Sequence, residues 1–153
     1  MKVLTDYEIN LSTLAIVPIF GDLCRIYDGN DIVVVKNKST IIVNRSCHFF
    51  GSSLPDRQQT TKRLIQVATK APIIVEESKT IIFFPTNSPR DSSCIWISYN
   101  NLDSYDKENT KRTRITFKNG VKISIPVSYN IVDNQFARCL KLEKEINKRR
   151  KSL

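Results

Sequence analysis

Short apolar runs rich in β-branched residues recur along the first two thirds of the chain, each bounded by turn-forming residues. Such runs are typical of strands, because branched side chains pack well on a pleated surface. We therefore predict a strand at each run. The runs are residues 14–19, 31–36, 40–43, 73–75, 80–84 and 94–99.

A mid-chain segment repeats its apolar residues at helical spacing instead. Ser53 can cap this helix, Pro55 is tolerated in the first turn, and Asp56 falls three residues after the cap. The helix is predicted to end by residues 70–72. Its apolar face is formed by Leu54, Thr61, Leu64, Ile65 and Ala68.

A second helical segment lies near the end of the chain. It is predicted to begin within residues 130–133 and to run to about Lys148. Arg138, Lys141 and Lys148 recur on its polar side, so the helix is amphipathic. Its apolar stripe is formed by Val132, Phe136, Cys139, Leu140 and Ile146.

Residues 112–126 predict a β-hairpin with an Asn-Gly turn. A two-residue loop would pair Phe117 with Lys122 and would mix apolar and charged side chains on both faces. A three-residue loop pairs Phe117 with Val121 and leaves one face wholly apolar. Because burial fixes the register, we predict the three-residue loop, with Gly120 in the left-handed conformation.

Together these elements predict one α+β domain over residues 1–153, a length that suits a single domain. We expect an antiparallel β-sheet, or a partly open barrel, with one mid-chain helix and one C-terminal helix. The polar residues 100–110 form either a loop or a weak edge strand.

The composition indicates a cytoplasmic protein without a membrane partner. No apolar run approaches the roughly 20 residues of a membrane span. Asp6 and Glu8 stand where a signal peptide would have its apolar core. The four cysteines are scattered and form no Cys-x-x-Cys pair, which fits buried, reduced thiols better than a zinc site or a disulfide scaffold.

Residues 44–53 (NRSCHFFGSS) contain the only histidine, directly after Cys47. Adjacent residues on a strand point to opposite faces, so Cys47 and His48 do not readily share one catalytic or metal site. Four glycines are too few for a phosphate-cradling loop motif. We predict no catalytic residues, no metal and no cofactor, with Cys47 buried and His48 exposed or hydrogen-bonded. The protein is not expected to be an enzyme.

The net charge of +9 is concentrated at the end of the chain. Residues 1–60 and 61–109 each hold six basic and six acidic side chains, whereas residues 110–153 hold twelve and three. An unpaired basic cluster suits a polyanion, because phosphates supply the missing counter-charge. We predict nucleic-acid binding. The alternatives for the same patch are a non-enzymatic protein-interaction regulator and a domain that docks on anionic membranes.

The candidate contact residues follow from this charge distribution. The hairpin would present a basic ribbon to the backbone or minor groove, formed by Arg112, Arg114, Lys118 and Lys122. Cations of the final helix would hold phosphates, namely Arg138, Lys141, Lys148, Arg149 and Arg150. Arg45 and Arg57 are further candidates, for which a structural role is equally open.

Six short motifs occur in one order: residues 45–53 (RSCHFFGSS), 83–89 (FFPTNSP), 95–97 (IWI), 117–120 (FKNG), 125–129 (IPVSY), and Asn134-Gln135 with Arg138. This series resembles the ComK family of competence transcription factors over roughly residues 44–140, and more loosely over residues 7–18. The resemblance implies a cytoplasmic activator of DNA-uptake genes that binds paired AT-rich boxes as a multimer, largely through the minor groove. It also implies that Phe49, Phe50 and Trp96 belong to the core.

The sequence departs from the ComK pattern in three places. His48 stands where the family usually has a basic residue, and residues 54–57 (LPDR) replace a Tyr-x-Gly-Arg run. Both differences bear on any DNA contact at those positions. Family members often continue beyond the position of Leu153 into a tail that a proteolytic adaptor uses, so such an adaptor is not assumed as a partner here.

Overall fold

The computed structural model describes residues 2–152, and in that range it contains ten strands and three helices. The strands are β1 (Val3–Leu4), β2 (Thr13–Pro18), β3 (Leu23–Asp28), β4 (Asp31–Lys36), β5 (Ile73–Glu76), β6 (Ile81–Pro85), β7 (Trp96–Ser98), β8 (Leu102–Asn109), β9 (Arg112–Phe117) and β10 (Lys122–Ile125). The helices are α1 (Ser39–Phe49), α2 (Leu54–Ile65) and α3 (Tyr129–Lys151).

The strands form two open sheets. The large sheet has seven strands in the order β1-β4-β3-β2-β7-β6-β5, and the small sheet has three in the order β10-β9-β8. Neighbouring strands are antiparallel except β1 and β4, which are parallel. The α+β prediction is therefore confirmed, although it missed helix α1 and the parallel pair.

The part of the large sheet formed by β2, β7, β6 and β5 is buried on both faces. Successive residues of a strand point to opposite sides, so each of these strands contributes to two cores. Phe83 and Trp96 belong to the apolar core beneath α1 and α2. Phe84 and Ile97, their neighbours in sequence, belong to the core shared with α3 and the small sheet. The fold is thus layered, with two helices, the large sheet, and then α3 beside the small sheet.

The strand predicted for residues 40–43 is wrong, since these residues lie in α1. The β-branched run suggested a strand, but Ile42 and Val43 are buried together with Ser46 and Cys47 one turn later. That spacing places all four on one helical face, against the large sheet. Packing of this face overrides the intrinsic preference of the run.

The three aromatic residues expected in the core, Phe49, Phe50 and Trp96, differ in how deeply they are buried. Trp96 is fully buried, and its indole nitrogen donates to Thr40 Oγ1 at 3.2 Å. Phe50 is half-buried against the core of α1 and α2. Phe49 is 60% exposed at the end of α1, so its predicted place in the core is wrong.

Helix α2 begins as predicted and ends earlier. The Asp56 amide donates to Ser53 Oγ at 3.1 Å, which is the expected N-cap. The helix stops at Ile65 because Gln66 adopts the left-handed conformation, with φ of 58°. Helix α3 is longer than predicted at both ends, and residues 100–110 contain β8, the edge strand that was one of the two alternatives.

The three-residue hairpin loop is confirmed. Ile115 lies opposite Ile123, and the Phe117 amide donates to the Val121 carbonyl at 2.8 Å. Gly120 has φ of +89°, the left-handed geometry that the apolar register requires.

Replacing Gly120 with Ala is expected to lower the free energy of unfolding by about 1 kcal/mol. A Cβ at this position would have no neighbour within 4 Å, so the cost comes from backbone strain and not from a clash. Urea unfolding measures it. As a control, Asn119→Ala tests loss of the side-chain hydrogen bond to the Gly29 carbonyl, and an equal loss in both variants would argue against the strain explanation.

The prediction of buried thiols is confirmed for all four cysteines. Burial raises the pKa of the Cys24 thiol to about 12 and the pKa of the Cys47 and Cys94 thiols to about 11. These groups are therefore protonated near neutral pH, and a thiolate nucleophile is not formed.

Candidate nucleic-acid interface

Two of the four cations in the basic ribbon form salt bridges, which the sequence did not indicate. Arg112 pairs with Glu108 at 3.3 Å, and Arg114 pairs with Asp106 at 3.6 Å and with Glu108 at 3.3 Å. Both carboxylates come from the edge strand β8. The Ser124 hydroxyl, followed by the two arginines, lowers the pKa of the Glu108 carboxyl. The inference that these two arginines lack counter-charge is therefore wrong.

The other two cations of the ribbon are exposed and form no salt bridge within residues 2–152. Lys118 lies at the hairpin tip, where its amide donates to the Asn101 carbonyl at 2.8 Å. Lys122 lies on the outer face of the small sheet, opposite Thr116. Their role in binding DNA stays a prediction.

The predicted cations of α3 are distributed along the length of the helix. Arg149 pairs with Glu145 at 3.5 Å, and Arg150 donates to Thr80 Oγ1 at 2.7 Å. Lys141 and Lys148 are exposed. Lys118 of the ribbon and Glu143 of α3 line one small cavity, so the second half of α3 lies beside the hairpin tip.

The two arginines from the first half of the chain lie on the opposite face of the large sheet, on α1 and α2. Arg57 is only 8% exposed and pairs with Glu77 at 2.7 Å, an arrangement that favours the structural alternative. Its Nε atom has no hydrogen-bond partner among the described residues. Arg45 is exposed, with Asp6 at 3.9 Å.

A different surface brings unpaired cations together, and we call it the basic groove. Its volume is about 830 Å³, and it is lined by α2, residues 68–71 and residues 87–90, with Thr40 of α1. Lys62, Lys70 and Arg90 supply its charge, and none of the described lining residues is a carboxylate. Within residues 2–152 these three cations form no salt bridge. Sequence reasoning missed all three.

Helix α3 supports the floor of the basic groove from behind. The buried Gln135 amide donates to the Lys70 carbonyl at 2.9 Å and to the Pro85 carbonyl at 2.6 Å. Arg138 donates to the Thr69 carbonyl at 2.7 Å. Lys70 itself is in the left-handed conformation, with φ of 52°, which residues other than glycine adopt uncommonly.

The opposite wall is fixed by α1. Thr40 Oγ1 donates to the Pro89 carbonyl at 2.7 Å, and Ser39 Oγ donates to the Cys94 carbonyl at 2.6 Å. Within the loop, Asp91 accepts from the Ser93 amide at 3.0 Å. These bonds hold residues 87–90 against the start of α1, so the groove is formed without a ligand.

Two comparisons identify the family. The model of the ComK protein family matches residues 4–151. The chain belongs to the ComK family. It is 37% identical over 138 residues, covering 88% of this chain and 72% of the relative, to the competence transcription factor of Bacillus subtilis (strain 168). No solved structure is significantly similar to the chain.

Three of the six motifs that resemble the ComK family lie in or directly beside the basic groove. Residues 83–89 provide part of its wall, and residues 134–138 support its floor. The end of residues 45–53 supplies Ser53, the cap of α2, whose Leu54 lines the groove. The clustering of these motifs, more than the local charge, is the sequence signal that could have indicated this site.

The adjacent residues Cys47 and His48 do not form a common site. Both lie near the end of α1, with Cys47 buried and His48 exposed, so they point in different directions. Within residues 2–152, no group of three His, Cys, Asp or Glu side chains is arranged to hold a metal ion. None of the helices there has the length and apolar character needed to cross a membrane.

The basic groove is better suited to binding a phosphate backbone than to catalysing a reaction. Its cations come from separate segments, so they can contact successive phosphates, as lysine and arginine do in nucleic-acid complexes. Gln58 adds a neutral amide to the lining, whereas the Thr40 and Asn87 side chains already form hydrogen bonds within the protein. Amide side chains can bond to sugar or base edges without adding charge.

Proposed function

We propose that this chain is a DNA-binding transcription activator of competence genes, acting in the cytoplasm. Membership of the ComK family, with a relative named a competence transcription factor, supports a regulator of this class. The observation that carries the DNA-binding step is the basic groove, where Lys62, Lys70 and Arg90 meet without a carboxylate.

In this proposal the basic groove receives one sugar–phosphate strand of a duplex. Lys62 and Lys70 contact phosphates, while Arg90, exposed on its loop beside Pro89, reaches the adjacent minor groove. Narrow minor grooves of AT-rich DNA concentrate negative potential, which favours an inserted arginine. AT preference would therefore come from groove shape as well as from direct contacts.

Lys141 is exposed on α3 and can add a phosphate contact if the duplex bends toward it. Lys118, Lys122 and Lys148 are also exposed, but they lie toward the opposite end of the large sheet, near Asn101 and Thr80, and we do not assign them to this stretch of duplex. Paired AT-rich boxes would be occupied by a homo-oligomer, which places one basic groove at each box. We do not propose a proteolytic adaptor as a partner.

Titration against AT-rich and GC-rich duplexes at several salt concentrations tests this function. We expect tighter binding to the AT-rich duplex and a salt slope of at least about 1.8, since the two phosphates neutralised by Lys62 and Lys70 contribute about 0.9 each. Equal binding to both duplexes and to anionic vesicles would favour membrane docking. Failure to bind either duplex would favour a protein-interaction regulator.

A further inference from the structure

The turn between β2 and β3 carries an exposed apolar tip. Phe20 is 74% exposed, more than any other large hydrophobic residue in residues 2–152, and its neighbour Ile19 is 36% exposed. The turn is ordered by two hydrogen bonds, from the Ile19 amide to the Leu23 carbonyl at 2.9 Å and from the Leu23 amide to the Phe20 carbonyl at 3.1 Å. The phenyl ring is therefore presented to solvent by a defined backbone.

The tip and the basic groove project from the same end of the large sheet. Strand β7 lies between β2 and β6, with Trp96 paired to Ile16 on one side and to Pro85 on the other. Beyond this level β2 continues into the Phe20 turn, and β6 continues into the loop that carries Arg90. Two strand spacings amount to about 10 Å, so both features can meet one duplex.

The charge around the tip also favours a polyanion. Lys36 lies opposite Leu23 on β4, and Lys38 follows at the start of α1; both are exposed. Asp22 is the only carboxylate in the turn. A phosphate backbone flanking the phenyl ring would find cations within a few residues on the adjacent strand.

We propose that Phe20 is a wedge that inserts between adjacent base pairs from the minor groove and bends the DNA. The proposal rests on the DNA-binding function proposed above. Phenylalanine and isoleucine are among the side chains that minor-groove proteins insert in this way. The step that opens most easily is TA, which AT-rich DNA offers frequently.

The size of the tip favours this occupant over a protein partner. A stable protein interface buries roughly 800 Å² on each partner, which a turn with two apolar side chains does not supply. Unstacking one base step requires only one ring. The small apolar tip, flanked by cations, fits a base step better than a protein surface.

The test uses an AT-rich duplex that carries end-attached fluorophores for bending and 2-aminopurine at one TA step for unstacking. The full-length chain is compared with Phe20→Ala, Phe20→Leu and the control Phe49→Ala. Phe49 is also a largely exposed phenylalanine, but it ends α1, whose start lies at the groove end of the sheet, about 15 Å away at 1.5 Å per residue.

Phe20→Ala is expected to abolish the 2-aminopurine signal, to reduce the bend, and to weaken binding roughly tenfold, as loss of one interface anchor does. Its salt slope should stay unchanged, because no phosphate contact is removed. Phe20→Leu should retain part of the bend, and Phe49→Ala should behave as the unaltered protein.

A bend and an unstacking signal that survive Phe20→Ala would overturn the wedge while leaving DNA binding intact. Absence of DNA binding by the unaltered protein would overturn the proposed function and the wedge together. If Phe20→Ala changed the sedimentation of the protein without DNA, the tip would be a protein contact, and the wedge would again be wrong.

Discussion

A variant that combines Lys62→Ala, Lys70→Gly and Arg90→Ala is expected to bind DNA about a hundredfold to a thousandfold more weakly. Each lost charge-assisted contact removes on the order of 1–1.5 kcal/mol after solvation is counted. The salt slope should fall by about 1.8, since Lys62 and Lys70 each lose a phosphate contact that contributes about 0.9. Glycine is used at position 70 because Lys70 has φ of 52°, which glycine adopts without strain.

Two matched variants separate the basic groove from a general effect of charge. Lys79→Ala removes an exposed lysine from the turn between β5 and β6, at the opposite end of the sheet, and should leave affinity nearly unchanged. Arg114→Ala with Lys118→Ala tests the basic ribbon. If this pair weakened binding more than the triple groove variant, the duplex would lie on the small sheet and the groove assignment would be wrong.

The basic ribbon and the basic groove differ in how much counter-charge the protein itself supplies to their cations. Arg114 lies between Asp106 and Glu108, so the free protein already supplies part of its counter-charge. Binding DNA there must first replace those pairs. The three groove cations have no such partners within residues 2–152, and phosphates would neutralise them without competition.

Local sequence patterns correctly predicted the elements for which the burial pattern and the backbone geometry indicate the same structure. The hairpin of β9 and β10 followed from one requirement, that Phe117 and Ile115 share an apolar face, and Gly120 then had to be left-handed. The α2 cap likewise depends on residues within one turn. Helix α1 was not predicted because a short, β-branched apolar run shows the same sequence pattern in a buried helix as in a buried strand.

The candidate site could not be predicted by adding charges along the chain. Residues 61–109 hold six basic and six acidic side chains, yet Lys62, Lys70 and Arg90 all come from this balanced segment. Folding engages four of its acids elsewhere: Asp106 and Glu108 pair with the ribbon, Glu77 pairs with Arg57, and Asp91, next to Arg90, accepts hydrogen bonds from Ser93. Only the packing of α2, the Lys70 segment and the Arg90 loop creates the local excess.

Replacing Gln135 with Ala is expected to lower the free energy of unfolding by about 2–3 kcal/mol. Its amide donates to the Lys70 and Pro85 carbonyls, and the loss of a buried hydrogen-bond partner costs about 1–3 kcal/mol. The Lys70 carbonyl then keeps only the 3.3 Å bond from Arg138. The shortened side chain also leaves a void beside α3. Urea unfolding gives the change, and Asn134→Ala is the control because that neighbouring amide is exposed.

The same change should weaken DNA binding through Lys70, although Gln135 itself is buried and does not line the basic groove. Without Gln135 the Lys70 carbonyl keeps only the longer bond from Arg138, at 3.3 Å, so Lys70 can leave the left-handed conformation more easily. Combining Gln135→Ala with Lys70→Gly separates the two effects. If Gln135 acts by positioning Lys70, it should weaken binding less in the Lys70→Gly background than in the unaltered protein. Equal loss of affinity in both backgrounds would show that Gln135 supports the fold alone.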